Sequence, residues 1–249
     1  MKTTSSSPDG QPLGDNSHRN SKRFRDKVGE LLHTNKLAIL GSILLVFLVG
    51  RIRYLFPDLN PLGVPLSLLA IWAICWFTRV GWSDLGMFKP TSWPKVIIIG
   101  VGTGILLQGI GILQFKLGAP LPDISSFEQV KNNFLMLLGG LLISWTTAGF
   151  GEEIIWRGFM MKQIARLFDD SKNGWWVGLI LSSILFGLIH AYQGIAGIVY
   201  SGIAGIIYGF IVLKSGRNLW TAIIAHATTD TVAFILIYNW DSVSLILGI

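Results

Sequence analysis

Cysteine is almost absent. Cys75 is the single one in 249 residues, so no disulfide framework holds this fold. Charge is scarce too: 14% of residues are charged, against roughly 25% in an average soluble domain. With 51% hydrophobic residues, the chain is not intrinsically disordered as a whole. No G-x-S-x-G elbow and no H-E-x-x-H motif occurs, so serine-hydrolase and zincin chemistry have no support. A P-loop and a dinucleotide-binding glycine fingerprint are missing as well. The net charge of +6 does not point to nucleic acid, because the charges fall between apolar runs and read first as membrane-topology signals.

Lipid-compatible sequence is abundant. Mean hydropathy is positive, and 29 glycines and 10 tryptophans accompany it. Apolar runs recur at Leu37–Phe56, Leu62–Thr78, Val96–Leu113, Phe134–Phe150, Trp175–Ala191, Ile195–Val212 and Leu219–Tyr238. They are apolar all round and close to the roughly 20 residues that span a bilayer core as a helix. They predict an all-α fold, a polytopic transmembrane helical bundle of about seven spans. Its active site is expected among the C-terminal helices.

Four segments are expected. Residues 1–36 read as a polar, basic, disordered cytoplasmic tail, with a basic cluster at Arg19, Lys22, Arg23, Arg25 and Lys27 that suits anionic lipid. No cleaved signal peptide is expected there. Residues 37–133 hold N-terminal transmembrane helices and an outer loop, 134–240 the helical core, and 241–249 a short C-terminal tail. With the N-terminus in the cytoplasm, only Arg51, Arg53, Lys116 and Lys131 of the 20 Lys and Arg fall on the outer side. The positive-inside rule then sets the orientation of an integral protein of the cell (plasma or inner) membrane. Arg51 and Arg53 fit least well; snorkelling from a tilted first helix would account for them.

Ionisable groups inside apolar runs cost roughly 2.5–3.5 kcal/mol each at a helix centre. Glu152, Glu153, Arg157, His190, His226 and Asp230 are expected in three separate helices of the C-terminal half. Glu153 and Arg157 are four apart with the acid first, the favourable order for a helical ion pair. Glu152 points about 100° away and has no local partner. Phe186 shares a face with His190, and His226 shares one with Asp230. Glu152 lies 19 residues before Ser171 and His190 lies 19 after it, so a hairpin turning there sets them level. By helical rise, His226 and Asp230 reach a similar depth from Arg217. Phe134 to Lys162 is too long for one straight span, and Gly139-Gly140 is the expected break or tilt.

A carboxylate shielded from bulk water can take a proton from a water molecule that a histidine orients. A second histidine, with a polar partner one turn on, can stabilise an oxyanion. Together these groups suit hydrolysis of an acyl bond without a covalent intermediate.

Three ordered motifs then carry a resemblance. They are Glu152-Glu153-Ile154-Ile155-Trp156-Arg157 followed by Gly158-Phe159, Phe186-Gly187-Leu188-Ile189-His190, and His226-Ala227-Thr228-Thr229-Asp230. As EExxxR, FxxxH and HxxxN/D, they resemble the CPBP group, the CAAX prenyl endopeptidases and bacteriocin-processing enzymes also called the Abi family. The resemblance implies that 134–240 is a CPBP-like catalytic core and that the chain is an intramembrane endopeptidase. Its substrate would be a membrane-associated or lipidated peptide or protein.

Carried over, Glu152 is the general base, His190 holds the water, and His226 with position 230 stabilises the oxyanion. Glu153, Arg157 and Phe186 are secondary or structural members of the site. The eukaryotic enzymes have Asn where this chain has Asp230. An amide donates a hydrogen bond and an ionised Asp cannot, so Asp230 is either protonated or orients a charged His226. The favoured mechanism requires no cofactor. The alternative is a metallopeptidase, with Glu152, His190 and His226 as ligands to zinc or another divalent ion. Competing functions are a catalytically silent membrane scaffold or an immunity or regulatory protein, and last a proton-coupled transporter.

Overall fold

The computed structural model describes residues 14–52, 56 and 62–248. Among them every regular element is helical. The order is α1 (Gly14–Thr34), α2 (Lys36–Gly50), α3 (Gly63–Thr78), α4 (Trp93–Lys116), α5 (Phe134–Ile143), α6 (Met161–Leu167), α7 (Lys172–Leu188), α8 (Gly194–Lys214), α9 (Trp220–Tyr238) and α10 (Trp240–Leu247). Side-chain caps start four of them. Asn35 Oδ1 accepts from the N–H groups of Leu37 and Ala38 at 2.9 and 3.1 Å. Ser92, Asn133 and Ser171 cap α4, α5 and α7 in the same way.

Four helices are long and apolar enough to cross a membrane: α4, the continuous stretch Phe134–Leu167, Ala191–Lys214 and α9. A fifth exists if α1 and α2, bent by 91° at Asn35, count as one broken span. The protein is thus an integral membrane protein, and among the described residues it has four or five candidate spans where about seven were expected. The runs are helical as expected, but α2, α3 and α7 have only 15, 16 and 17 residues. At about 1.5 Å per residue they fall short of a roughly 30 Å hydrocarbon core. Apolar side chains on the outer surface, such as Leu37 (78% exposed) and Ile195 (76%), suit contact with lipid.

Both terminal segments contain helix. Residues 1–13 and Arg53 lie outside the described residues. The rest of the expected tail is mostly helix α1, which docks on α3. Arg25 donates to the Trp76 carbonyl at 2.9 and 2.6 Å and lies 4.4 Å over its indole ring. At the other end, the expected short tail is largely α10.

The Phe134–Leu167 helix does not break at Gly139-Gly140. Gly140 instead lets α9 approach, since a Cβ there would stand 2.7 Å from the Phe234 ring. The irregularity lies further on, where α5 passes through π-helical turns at Ser144–Glu152 and Ile154–Met160 into α6. These wider turns close i→i+5 hydrogen bonds and re-aim the side chains that follow. α9 packs along α4 and the first π-helical stretch, and α7 packs between α6 and α8. Small residues allow this: a Cβ on Gly205 or Gly209 would press on Ser183 or Leu179 of α7 at 3.1–3.2 Å. The three motifs meet inside this C-terminal cluster.

Candidate active site

Glu153 is the electrostatic centre. It is fully buried. Its Oε1 accepts from Arg157 NH1 at 2.7 Å, the i,i+4 pair legible in the sequence. The same oxygen accepts from His226 Nδ1 at 2.8 Å, across to α9. A carboxylate paired with arginine is an acceptor, so His226 carries its hydrogen on Nδ1. Nε2 then faces Asp230, whose Oδ2 is 3.8 Å away, beyond hydrogen-bond range. One carboxylate therefore stands at each ring nitrogen.

Aromatic rings fix this cluster. Tyr208 of α8 stacks on His226 with centroids 5.1 Å apart and planes 21° from parallel. Its hydroxyl donates to Thr229 at 2.8 Å. Phe186 presents its edge to His226 at 5.8 Å and to His190 at 4.8 Å. The Arg157 guanidinium carbon lies 4.4 Å from the Phe186 centroid, a buried cation–π contact. Phe186 is therefore the hub that sets the spacing of both histidines. Tyr208 and Thr229 were not singled out in the sequence. An aromatic inside an apolar run carries no signal of which neighbour it will stack on.

His190 closes α7. The helix ends at Leu188, and His190 leads into a 3-10 turn at Ala191–Gln193, so this histidine stands just past the end of the helix. Its Nδ1 lies 2.7 Å from the Phe186 carbonyl. A carbonyl only accepts, so Nδ1 donates and Nε2 keeps a free lone pair.

Glu152 turns the other way from Glu153. Its Oε2 is buried and has no hydrogen-bond partner among the described residues. Glu152 lines a small cavity of about 30 Å³. The opposite wall comes from Val46, Gly50 and Arg51 at the end of α2 and from Gly63, Val64 and Ser67 at the start of α3, and Ile189 lies beside them. That volume is more than the roughly 10–15 Å³ that one water needs. A buried acid facing a water-sized space is the geometry a general base requires.

Glu152, Glu153, Arg157, Phe186, His190, His226 and Asp230 thus occupy one region of the bundle. They do not form a metal cage: among the described residues no three His, Cys, Asp or Glu side chains converge on a metal-sized point. His226 Nδ1 is held by Glu153 and His190 Nδ1 faces a backbone carbonyl. Each histidine keeps Nε2 as its remaining donor atom, and Glu152, His190 and His226 are not such a metal-holding group among the described residues.

Residues 134–232 match the family model described as Type II CAAX prenyl endopeptidase Rce1-like. The match contains every residue named above except those of α2 and α3. No curated protein and no solved structure matches the chain.

Proposed function

We propose, from the premise that residues 134–232 form an Rce1-like CAAX-protease domain, that this protein is an intramembrane endopeptidase driven by a glutamate-activated water. A protease family implies a protein or peptide substrate. Its chemical class here is a membrane-associated or lipidated peptide, since the site lies inside a bundle of membrane helices. The observation that carries the reading is Glu152, whose Oε2 is buried with no hydrogen-bond partner among the described residues, on the wall of a cavity with room for water.

The steps follow from the side chains. Glu152 takes one proton from the water, and His190 Nε2 accepts a hydrogen bond from the other. The resulting hydroxide forms a bond to the scissile carbonyl carbon, and the carbonyl electron pair moves to oxygen. As an imidazolium, His226 donates from Nε2 to that oxyanion while Nδ1–H stays on Glu153. Asp230 sits one turn on at 3.8 Å and aligns the charged ring. The tetrahedral species then collapses, the C–N bond breaks, and Glu152 returns its proton to the leaving amine.

The test is cleavage of a quenched peptide panel, with and without a lipid on the peptide, by purified protein in detergent. Glu152→Gln should lower kcat by about 100- to 10,000-fold, the usual worth of a general base. Wild-type rates from Glu152→Gln on every cleaved peptide would end the proposal.

A further inference from the structure

The Glu152 cavity is walled by the end of α2 and the start of α3. A larger cleft, of about 600 Å³, opens at their opposite ends, between the end of α1, the start of α2, the end of α3 and α6. Lys162 and Arg166 of α6 set its character. They are four apart on one helix, so they share a face and repel one another. Both are partly buried, and the groups that hold them are neutral. Lys162 Nζ donates to the Asp84 backbone carbonyl at 2.6 Å. Arg166 NH1 donates to Gln163 Oε1 at 3.0 Å, and its NH2 lies 2.8 Å from His33 Nε2. A guanidinium only donates, so this imidazole accepts and adds no charge. Gln163 is itself buried and donates to Ser42 Oγ at 3.1 Å, which keeps its oxygen toward Arg166.

The other charges of the cleft are largely spent. Lys36 pairs with Asp169 at 3.0 Å and Arg79 with Asp26 at 2.5 Å. Asp84 Oδ2 accepts from the Gly81 N–H at 2.8 Å. Asp84 and Asp170 attract Lys162, and Asp170 attracts Arg166, but none of them closes an ion pair among the described residues. Two like charges are thus held side by side, facing open space.

The place of the cleft points to what fills it. α2 exposes Leu40, Leu44 and Leu48 along its length, a face for lipid. α1 turns 91° from it, so α1 lies across the end of the bundle. A Cβ on Gly29 would overlap the Phe77 carbonyl oxygen, so α1 rests directly on the backbone of α3. Its outer face exposes Phe24 and Leu31, two turns apart on one stripe, with Arg23 and Lys27 beside them. An apolar stripe flanked by cations is what a helix lying at headgroup level presents to an anionic leaflet. The cleft opens at the C-terminal end of that helix and has the volume of a small-molecule site. We infer that it binds the phosphate of an anionic lipid headgroup, held between Lys162 and Arg166. A phosphate offers several acceptor oxygens, which donors on successive turns can share. This inference stands apart from the peptidase reading.

The experiment uses the full chain in neutral detergent micelles, titrated with dihexanoyl phosphatidylglycerol, dihexanoyl phosphatidylcholine or sodium phosphate. Tryptophan fluorescence during heating reads the apparent affinity, because a ligand of the folded state raises the unfolding midpoint with its concentration. Phosphatidylglycerol should raise it saturably, and the other two should leave it in place. Lys162→Gln and Arg166→Gln should each weaken phosphatidylglycerol about 10-fold, the worth of a charge-assisted bond. Lys95→Gln, outside the cleft, should not. Asp170→Asn should tighten binding roughly twofold to fivefold, because the rim loses a competing charge. Asn also suits the left-handed backbone there, at φ 55°, so this gain is readable even if the other variants fail to fold. The inference is overturned if phosphatidylcholine protects as well as phosphatidylglycerol, if Lys95→Gln weakens binding as much as Arg166→Gln, or if Asp170→Asn does not tighten it. If sodium phosphate protects as well as the lipid, the ligand is a free anion and the lipid assignment fails.

Discussion

Removing Arg157 tests whether the Glu153 cluster is a real electrostatic unit. Arg157 is 2% exposed and Glu153 is 0% exposed, and they meet at 2.7 Å. Arg157→Met keeps much of the apolar stem and deletes the charge. It leaves a carboxylate sealed in the bundle with only His226 for company. Breaking a buried pair from one side costs about 3–5 kcal/mol, because the remaining charge has no solvent to return to. Loss of the stack on Phe186 adds about 1 kcal/mol. For a chain of this size a kcal/mol is worth roughly 2–4 °C, so the midpoint of thermal unfolding should fall by about 10 °C or more. Removing both charges is a different matter. In Glu153→Gln/Arg157→Met the amide oxygen still accepts from His226 Nδ1 and no ion is stranded, so most of the lost stability should return. The double-mutant cycle should give a coupling of about 2–3 kcal/mol. Tryptophan fluorescence during heating in micelles reads all four proteins. A shift under about 3 °C for Arg157→Met, or a double variant no more stable than the single, would refute the reasoning.

Two further outcomes are expected. Asp230→Asn should keep wild-type kcat or exceed it, since an amide can both accept from His226 and donate to the oxyanion, whereas Asp230→Ala should lose about tenfold or more; an inactive Asp230→Asn would show that the carboxylate charge itself is required. Gly178→Ala should destabilise by about 1–3 kcal/mol, because its Cβ would stand 2.5 Å from the Met161 carbonyl oxygen of α6, while Gly102→Ala, with nothing within 4 Å, should be neutral; equal melting points for the two would contradict the tight α6–α7 packing.

Much of this molecule is legible in its sequence, for identifiable reasons. Apolar runs register as helices because hydropathy depends only on composition, and each of the seven runs holds one. The number of spans is not legible in the same way, because it depends on where each helix stops. α2 stops at Gly50 and α7 at Leu188. Neither stop carries a strong breaker such as proline, and both fall where the chain turns toward the cavity. The Glu153–Arg157 pair is readable because i,i+4 spacing survives almost any helical geometry. The bond from Glu153 to His226 is not, because no spacing within one helix tells which neighbour it will face.

The π-helical turns explain why the two glutamates had to be seen in place. A regular helix puts consecutive residues about 100° apart. From Ser144 to Met160 the turns are wider, and that angle no longer holds. Glu153 ends against α9, inside a network of arginine, histidine and two aromatic rings. Glu152 ends on a cavity whose opposite wall, from α2 and α3, lies outside the three motifs. The motifs therefore locate the chemistry but supply only part of its enclosure. The rest comes from helices whose sequence shows little beyond hydrophobicity.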